Sequence, residues 1–158
     1  MALIRWPEKY APGRTPVHIR NELDMDVKPD LVWDWLVRAK LWPTWYSNSA
    51  NVAVEGGGSD LGAGSSFRWK TFGVNLVSKV EEFVPVERLA WSARGMGIDA
   101  YHAWLIEPTS LGCHVITEET QIGLLPRLNN IMRPNQMTRK HQEWLESLVA
   151  KARTGLPP

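Results

Sequence analysis

Two histidines and a glutamate have the residue types and positions best suited to chemistry in this 158-residue chain. His102 lies in a strand-like alternating segment and His141 in a segment with helical spacing, and both fall on the apolar side. Imidazole titrates near neutral pH, which makes histidine the usual acid or base candidate. A histidine in such a place is more often simply hydrogen-bonded to a carbonyl group or to water. For this pair, both an acid–base role and a purely structural hydrogen-bonding role therefore remain open.

Glu119 is the second of two adjacent glutamates in a predicted strand, where neighbouring side chains point to opposite faces. Because it lies two residues after Thr117 on the same strand, it is expected on the inner face of the sheet. There we expect it to pair with His102, His141 or Arg94, or to orient a polar group of a ligand. Without a nearby cation, burial would raise the pKa of this carboxyl group.

Tryptophan is the unusual feature of the composition, with 9 residues against 3 Phe and 3 Tyr. Trp69, Trp91 and Trp104 lie on successive predicted strands, so they either fill the core or line a pocket. Trp33 and Trp144 are assigned to the core. The residues predicted to bind a ligand are Phe67, Trp69, Trp91, His102, Trp104, Glu119, Met137 and His141, and the catalytic candidates among them are His102, His141 and Glu119.

Composition and missing motifs exclude several function classes. The net charge of +1 gives no reason to expect a nucleic acid partner, and the single Cys excludes a disulfide framework. No apolar run reaches the roughly 18 residues that a membrane span needs, and the start lacks the pattern of a signal peptide, which predicts a cytoplasmic protein. Local spacing typical of a metal site, a phosphate-binding loop or a nucleophile elbow is also missing, so neither a metal nor a cofactor is expected.

The order of predicted elements indicates an α+β fold with a bent antiparallel sheet of six to seven strands. Two short helices follow the first strand, and one long C-terminal helix is expected to cross the concave face of the sheet. The predicted strands cover residues 17–25, 51–55, 65–72, 74–84, 88–95, 98–107 and 113–122, and the long helix covers about 135–153. The predicted organisation is a proline-rich arm (1–16), a single domain (17–153) and a short tail (154–158).

Several motifs follow one another in an order similar to that found in a known superfamily. They are Pro29 with Val32-Trp33 and Leu36, Trp42-Pro43-x-Trp45, Leu61-x-x-Gly64-x-x-Phe67-x-Trp69, Val80 with Phe83 and Pro85, Leu89-x-Trp91, His102-x-Trp104 before Pro108, and Gly112-x-x-Val115-x-Thr117-x-Glu119 before Gly123. The chain thereby resembles the START-like helix-grip superfamily (SRPBCC), particularly its polyketide cyclase/dehydrase-type branch. The resemblance implies a helix-grip fold with a cavity between the sheet and the long helix.

Three function classes are compatible with this resemblance, because proteins that share one fold can differ in function. The first is binding of a hydrophobic, lipid-like or aromatic small molecule in the cavity. The second is a cofactor-independent polyketide cyclase or dehydratase that uses His102 or His141 as general base, with Glu119 orienting it. The third is a protein-interaction module that resembles the chaperone activators of the superfamily and uses the outer face of the sheet or the arm.

Overall fold

The computed structural model describes residues 3–158 and contains one seven-stranded antiparallel sheet. The strand order is β1-β7-β6-β5-β4-β3-β2, so consecutive strands pair from β2 to β7 and β1 closes onto β7. The strands are β1 (Val17–Met25), β2 (Ala50–Val54), β3 (Ser66–Thr71), β4 (Val74–Val84), β5 (Arg88–Gly95), β6 (Ile98–Pro108) and β7 (Cys113–Ile122). This architecture confirms the predicted α+β helix-grip fold.

Three α-helices accompany the sheet: α1 (Pro29–Val37), α2 (Leu124–Met132) and α3 (Gln136–Ala152). Proline at the first turn of α1 costs no hydrogen bond, because the first N–H groups of a helix have no partner within it. A short 3₁₀ segment (Ala39–Thr44) contains Pro43 and forms the predicted second helical turn. No helix within residues 3–158 is both long and apolar enough to span a bilayer.

The long helix α3 lies over the concave face and is fixed to it at both edges. Trp144, Leu145 and Leu148 are buried beneath it, which accounts for the predicted apolar stripe. At the β1 edge, the side-chain amide of Asn21 donates to the carbonyl of Thr138 at 3.1 Å. On the opposite side the Tyr46 hydroxyl donates to the Lys140 carbonyl at 3.2 Å.

Helix α2 was not predicted. Ile131 and Met132 lie at its exposed C-terminal end. The start of α2 is held close to the β5–β6 hairpin. A Cβ atom at Gly123, which has φ +120°, would lie 2.8 Å from the carbonyl oxygen of Gly97, so this approach requires glycine.

The proline-rich arm packs on the outer, convex face of the sheet, away from the cavity. Tyr10 is buried and stacks on Tyr101 with ring centroids 5.2 Å apart, while its hydroxyl donates to Asp99 at 2.5 Å. Trp6 packs against the same tyrosine, and the Thr120 hydroxyl donates to the carbonyl of Tyr10 at 2.9 Å. The arm thus covers part of the face that an interaction module would otherwise expose.

Candidate functional site

A cluster of indole rings fills the space between the sheet and α3. Trp144 is its centre, with ring centroids 5.3 Å from Trp42, 5.1 Å from Trp104 and 5.8 Å from Trp69. Tyr46 stacks on the other face of Trp144, with centroids 4.4 Å apart and planes inclined by 10°. Trp42 belongs to the 3₁₀ segment, so the proline-broken turn after α1 carries one of the most deeply buried rings.

A cavity of about 270 Å³ lies beside this cluster and is bounded by the sheet, α2 and α3. Aromatic rings form much of its inner wall, namely those of Tyr46, Trp69, Phe72, Trp91 and Trp144. Its outer rim includes Met96, Leu125 and Arg133, which are exposed to solvent. The cavity therefore runs from a buried aromatic interior to a rim at the protein surface that has both apolar and charged side chains.

His102, Glu119 and His141 meet in the cavity wall. One carboxylate oxygen of Glu119, Oε2, lies 3.0 Å from Nε2 of His141 and 3.3 Å from Nδ1 of His102. The register of the sheet explains half of this arrangement, because His102 on β6 is directly paired with Glu119 on β7. α3 supplies His141 from above. The expected pairing of Glu119 with both histidines is present, whereas Arg94 bonds to Asp99 instead.

Each member of the cluster is also held from its other side. Nδ1 of His141 lies 2.8 Å from the carbonyl oxygen of Met137, and Nε2 of His102 lies 2.7 Å from the hydroxyl of Thr117. The second carboxylate oxygen of Glu119 accepts a hydrogen bond from Gln121 at 2.6 Å. All four imidazole nitrogens are thus engaged, and their orientation is fixed by groups that are themselves buried or half-buried.

The surroundings of the cluster determine the protonation of Glu119 and His102. Burial alone would raise the pKa of Glu119, but the hydrogen bond and the charge of His141 lower it to about 2, so the carboxylate is ionised at neutral pH. A carbonyl oxygen only accepts, so Nδ1 of His141 donates to Met137, while Nε2 faces the carboxylate at 3.0 Å. Desolvation, only partly offset by Glu119, lowers the pKa of His102 to about 3 and keeps this ring neutral. The ionised carboxylate of Glu119 therefore lies between the two imidazoles.

The structure brings most of the predicted ligand-binding residues to one cavity. Trp69, Trp91, Met137 and the three members of the His–Glu–His cluster line it. Phe67 and Trp104 are buried one layer behind, where Phe67 packs against Trp69 and Trp91, and Trp104 stacks on His102. Their contact with a ligand is therefore indirect.

Several lining residues were missed by sequence reasoning. Trp144 was assigned to the core, and it does fill the core, but one side of it also faces the cavity. Gln121 lies two residues beyond Glu119 on the same strand face, so the alternation that identified Glu119 could have identified Gln121. Leu125 and Arg133 line the rim because of α2, which was not predicted.

Comparisons with known proteins agree with this geometry. Residues 16–153 match the family described as polyketide cyclase/dehydrase and lipid transport. The hypothetical protein jhp0584 of Helicobacter pylori has 33% identity over 97% of this chain and 98% of its own, with a TM-score of 0.90.

More distant solved structures share the fold. The protein TTHA0849 of Thermus thermophilus has 16% identity over 87% of this chain and 98% of its own, with a TM-score of 0.72. The Zhui aromatase/cyclase of Streptomyces sp. R1128 has 13% identity over 87% and 93%, with the same TM-score of 0.72. No curated protein matches the chain. The match over nearly the whole chain, together with the sheet and the cavity beneath α3, places this protein in the polyketide cyclase/dehydrase and lipid transport family.

Proposed function

We propose that the protein binds a small ring-containing molecule, largely apolar but with a hydroxyl or carbonyl group, in the cavity beneath α3. The observation that carries this proposal is the aromatic wall of a cavity of about 270 Å³ with a fixed polar cluster in it. This volume is near the lower end of the range of about 300–1,000 Å³ typical of small-molecule sites, which favours a compact ligand. Rigid rings around such a space favour a planar apolar molecule.

The polar group of the ligand is expected to meet Glu119 and the indole N–H groups. The side chain of Glu119 is 12% exposed, and its exposed part faces the cavity. Within residues 3–158, the buried indole N–H groups of Trp91 and Trp144 have no acceptor. Because an unpaired buried donor costs about 1–3 kcal/mol, an oxygen on the ligand that accepts from one of them would favour binding.

Binding ranks above catalysis because of how the histidines are used. A general base needs a free nitrogen within hydrogen-bond reach of the substrate. In this cluster both nitrogens of His102 and both nitrogens of His141 already face Thr117, Met137 or Glu119. A histidine must therefore leave one partner before it could accept a proton from a bound molecule.

A cofactor-independent cyclase or dehydratase activity is the second candidate. It is supported by the hydrogen-bonded His141–Glu119 pair, whose carboxylate is in contact with the cavity. Incubation with a linear poly-β-keto thioester should then give a cyclised or dehydrated product, and His141→Gln should abolish it. Unchanged thioester after prolonged incubation would leave binding alone.

The binding proposal is tested by isothermal titration calorimetry with naphthol and naphthalene, in buffer that contains EDTA. We expect naphthol to bind more tightly than naphthalene by about five- to tenfold, because one additional hydrogen bond contributes about 1 kcal/mol. Ala93→Phe, which places a ring in the cavity, should weaken both ligands by at least about tenfold. Val77→Phe, at an exposed strand position, is the matched control and should bind as the wild type does. Equal affinity of the wild type and a folded Ala93→Phe variant would contradict the proposal.

A further inference from the structure

Three potential metal ligands converge at one point in the cavity wall. Nδ1 of His102, Nε2 of His141 and a carboxylate oxygen of Glu119 all lie within 4.8 Å of one another. They come from β6, α3 and β7, three elements that are distant in sequence. No local spacing could therefore have indicated this grouping, and the absence of metal motifs from the sequence does not bear on it.

The separations between these atoms fit the coordination sphere of a small cation. Two ligand atoms that each lie about 2.0–2.1 Å from Zn²⁺ are about 2.9–3.4 Å apart for angles between 90° and the tetrahedral value. Oε2 of Glu119 lies 3.0 Å from Nε2 of His141 and 3.3 Å from Nδ1 of His102. Both of these oxygen–nitrogen distances fall in that range, and the two nitrogen atoms lie within 4.8 Å of each other.

The partners of the three side chains are those that orient metal ligands in proteins. A metal-bound histidine usually donates its other ring N–H to a carbonyl or another acceptor, which fixes the ring and the tautomer. Nδ1 of His141 faces the Met137 carbonyl, and Nε2 of His102 faces the hydroxyl of Thr117, which is fully buried. The remaining oxygen of Glu119 is held by Gln121. Each of the three side chains is therefore held from its other side, while its remaining donor atom lies within 4.8 Å of those of the other two.

We propose that His102, His141 and Glu119 form a binding site for one divalent first-row transition metal ion, with the remaining coordination positions open to the cavity. Two imidazoles and one carboxylate suit Zn²⁺, Co²⁺ or Fe²⁺, whereas Mg²⁺ and Ca²⁺ prefer ligand sets made of oxygen. Three protein ligands and an open position are the arrangement of catalytic rather than structural zinc sites. All three residues line the cavity, so an exchangeable ligand would reach the metal from there.

The site goes beyond the proposed binding of a ring compound and is tested without any organic ligand. The protein, stripped with EDTA and dialysed, is titrated with ZnSO₄ by calorimetry and with CoCl₂ by visible absorption. We expect one ion to bind per chain. We also expect the intense visible absorption that is typical of Co²⁺ with a low coordination number. Glu119→Gln and His141→Gln should each weaken Zn²⁺ binding by at least about 100-fold. His114→Gln removes a histidine at the surface, beside Asp24, and should leave the affinity unchanged.

X-ray absorption spectroscopy of the zinc-loaded wild type covers the case in which a variant does not fold. It should show two imidazoles in the first coordination shell. Absence of stoichiometric binding, wild-type affinity in folded Glu119→Gln and His141→Gln variants, or a zinc shell without two imidazoles would each overturn the proposal. Because naphthol binding is measured in EDTA, failure of the metal site leaves the binding proposal standing, and the reverse also holds.

Discussion

Acid should destabilise the metal-free protein at a pH where most carboxylates are still ionised, because the fold holds His102 neutral. The pKa of this histidine is lowered to about 3 in the folded protein, from 6.5 in a free chain, chiefly because the ring is buried. Between these two values the unfolded chain binds a proton that the folded chain does not. The free energy of unfolding therefore falls by about 1.4 kcal/mol for each pH unit below 6.5, and this decrease levels off near pH 3.

The expected magnitude is large on the scale of protein stability. Between about pH 6.5 and about pH 4.5 the contribution of His102 falls by about 2 kcal/mol, against a typical total of about 5–15 kcal/mol. Glu119 acts at lower pH. Its folded pKa of about 2 lies below the usual 4.5, so the stability that it provides is present above 4.5 and is lost as the pH falls from there toward 2. The two effects overlap only below pH 4.5, and above it the titration of His102 acts without that of Glu119.

Urea unfolding in EDTA across this pH range measures the effect directly. Replacement of His102 by Gln keeps a neutral polar group beside Thr117 but removes the titration. The free-energy difference between the wild type and His102→Gln should therefore shrink by about 2 kcal/mol from about pH 6.5 to about pH 4.5. Trp33→Phe, a core variant that packs against Phe83 far from the cluster, should differ from the wild type by a constant amount. A difference for His102→Gln that is equally constant would refute the reasoning.

Three further changes test other parts of the fold. Trp144→Ala should cost about 3–5 kcal/mol in unfolding free energy, and added indole should raise the melting temperature of the variant by more than that of the wild type. Tyr10→Phe removes the hydrogen bond to Asp99, so it should cost about 1–2 kcal/mol and speed proteolysis of the arm. Gly112→Ala would place a Cβ atom 2.1 Å from a backbone oxygen and should cost more than about 2 kcal/mol in thermal unfolding, whereas Gly58→Ala, with nothing within 4 Å, should cost far less.

The strands could be predicted almost to the residue because alternation and turn residues coincide. Gly73 separates β3 from β4, and the Gly95-Met96-Gly97 turn separates β5 from β6, so the limits of these strands are marked in the sequence. Helix α2 is short and contains Pro126, so the helical spacing of Leu124, Leu128 and Ile131 was not recognised. These side chains are exposed and do not form a buried stripe.

The candidate site was predictable in its parts but not in its geometry. Period-two and helical spacing correctly placed His102, Glu119 and His141 on inner faces. That both imidazoles meet one carboxylate oxygen depends on the pairing of His102 with Glu119 across β6 and β7 and on the angle of α3. Neither quantity is encoded in local periodicity. The same limit applies to Trp144, whose helical spacing indicates a buried face but not what that face borders.

The tryptophan cluster has an optical consequence. Trp42, Trp69, Trp91, Trp104 and Trp144 are connected by neighbouring rings whose centroids lie 5.1–6.4 Å apart. At such separations an absorbed photon does not stay on one indole, and the excitation passes among the rings before it is emitted. The five residues therefore share their excitation energy. A molecule that quenches the ring nearest to it lowers the fluorescence of all five.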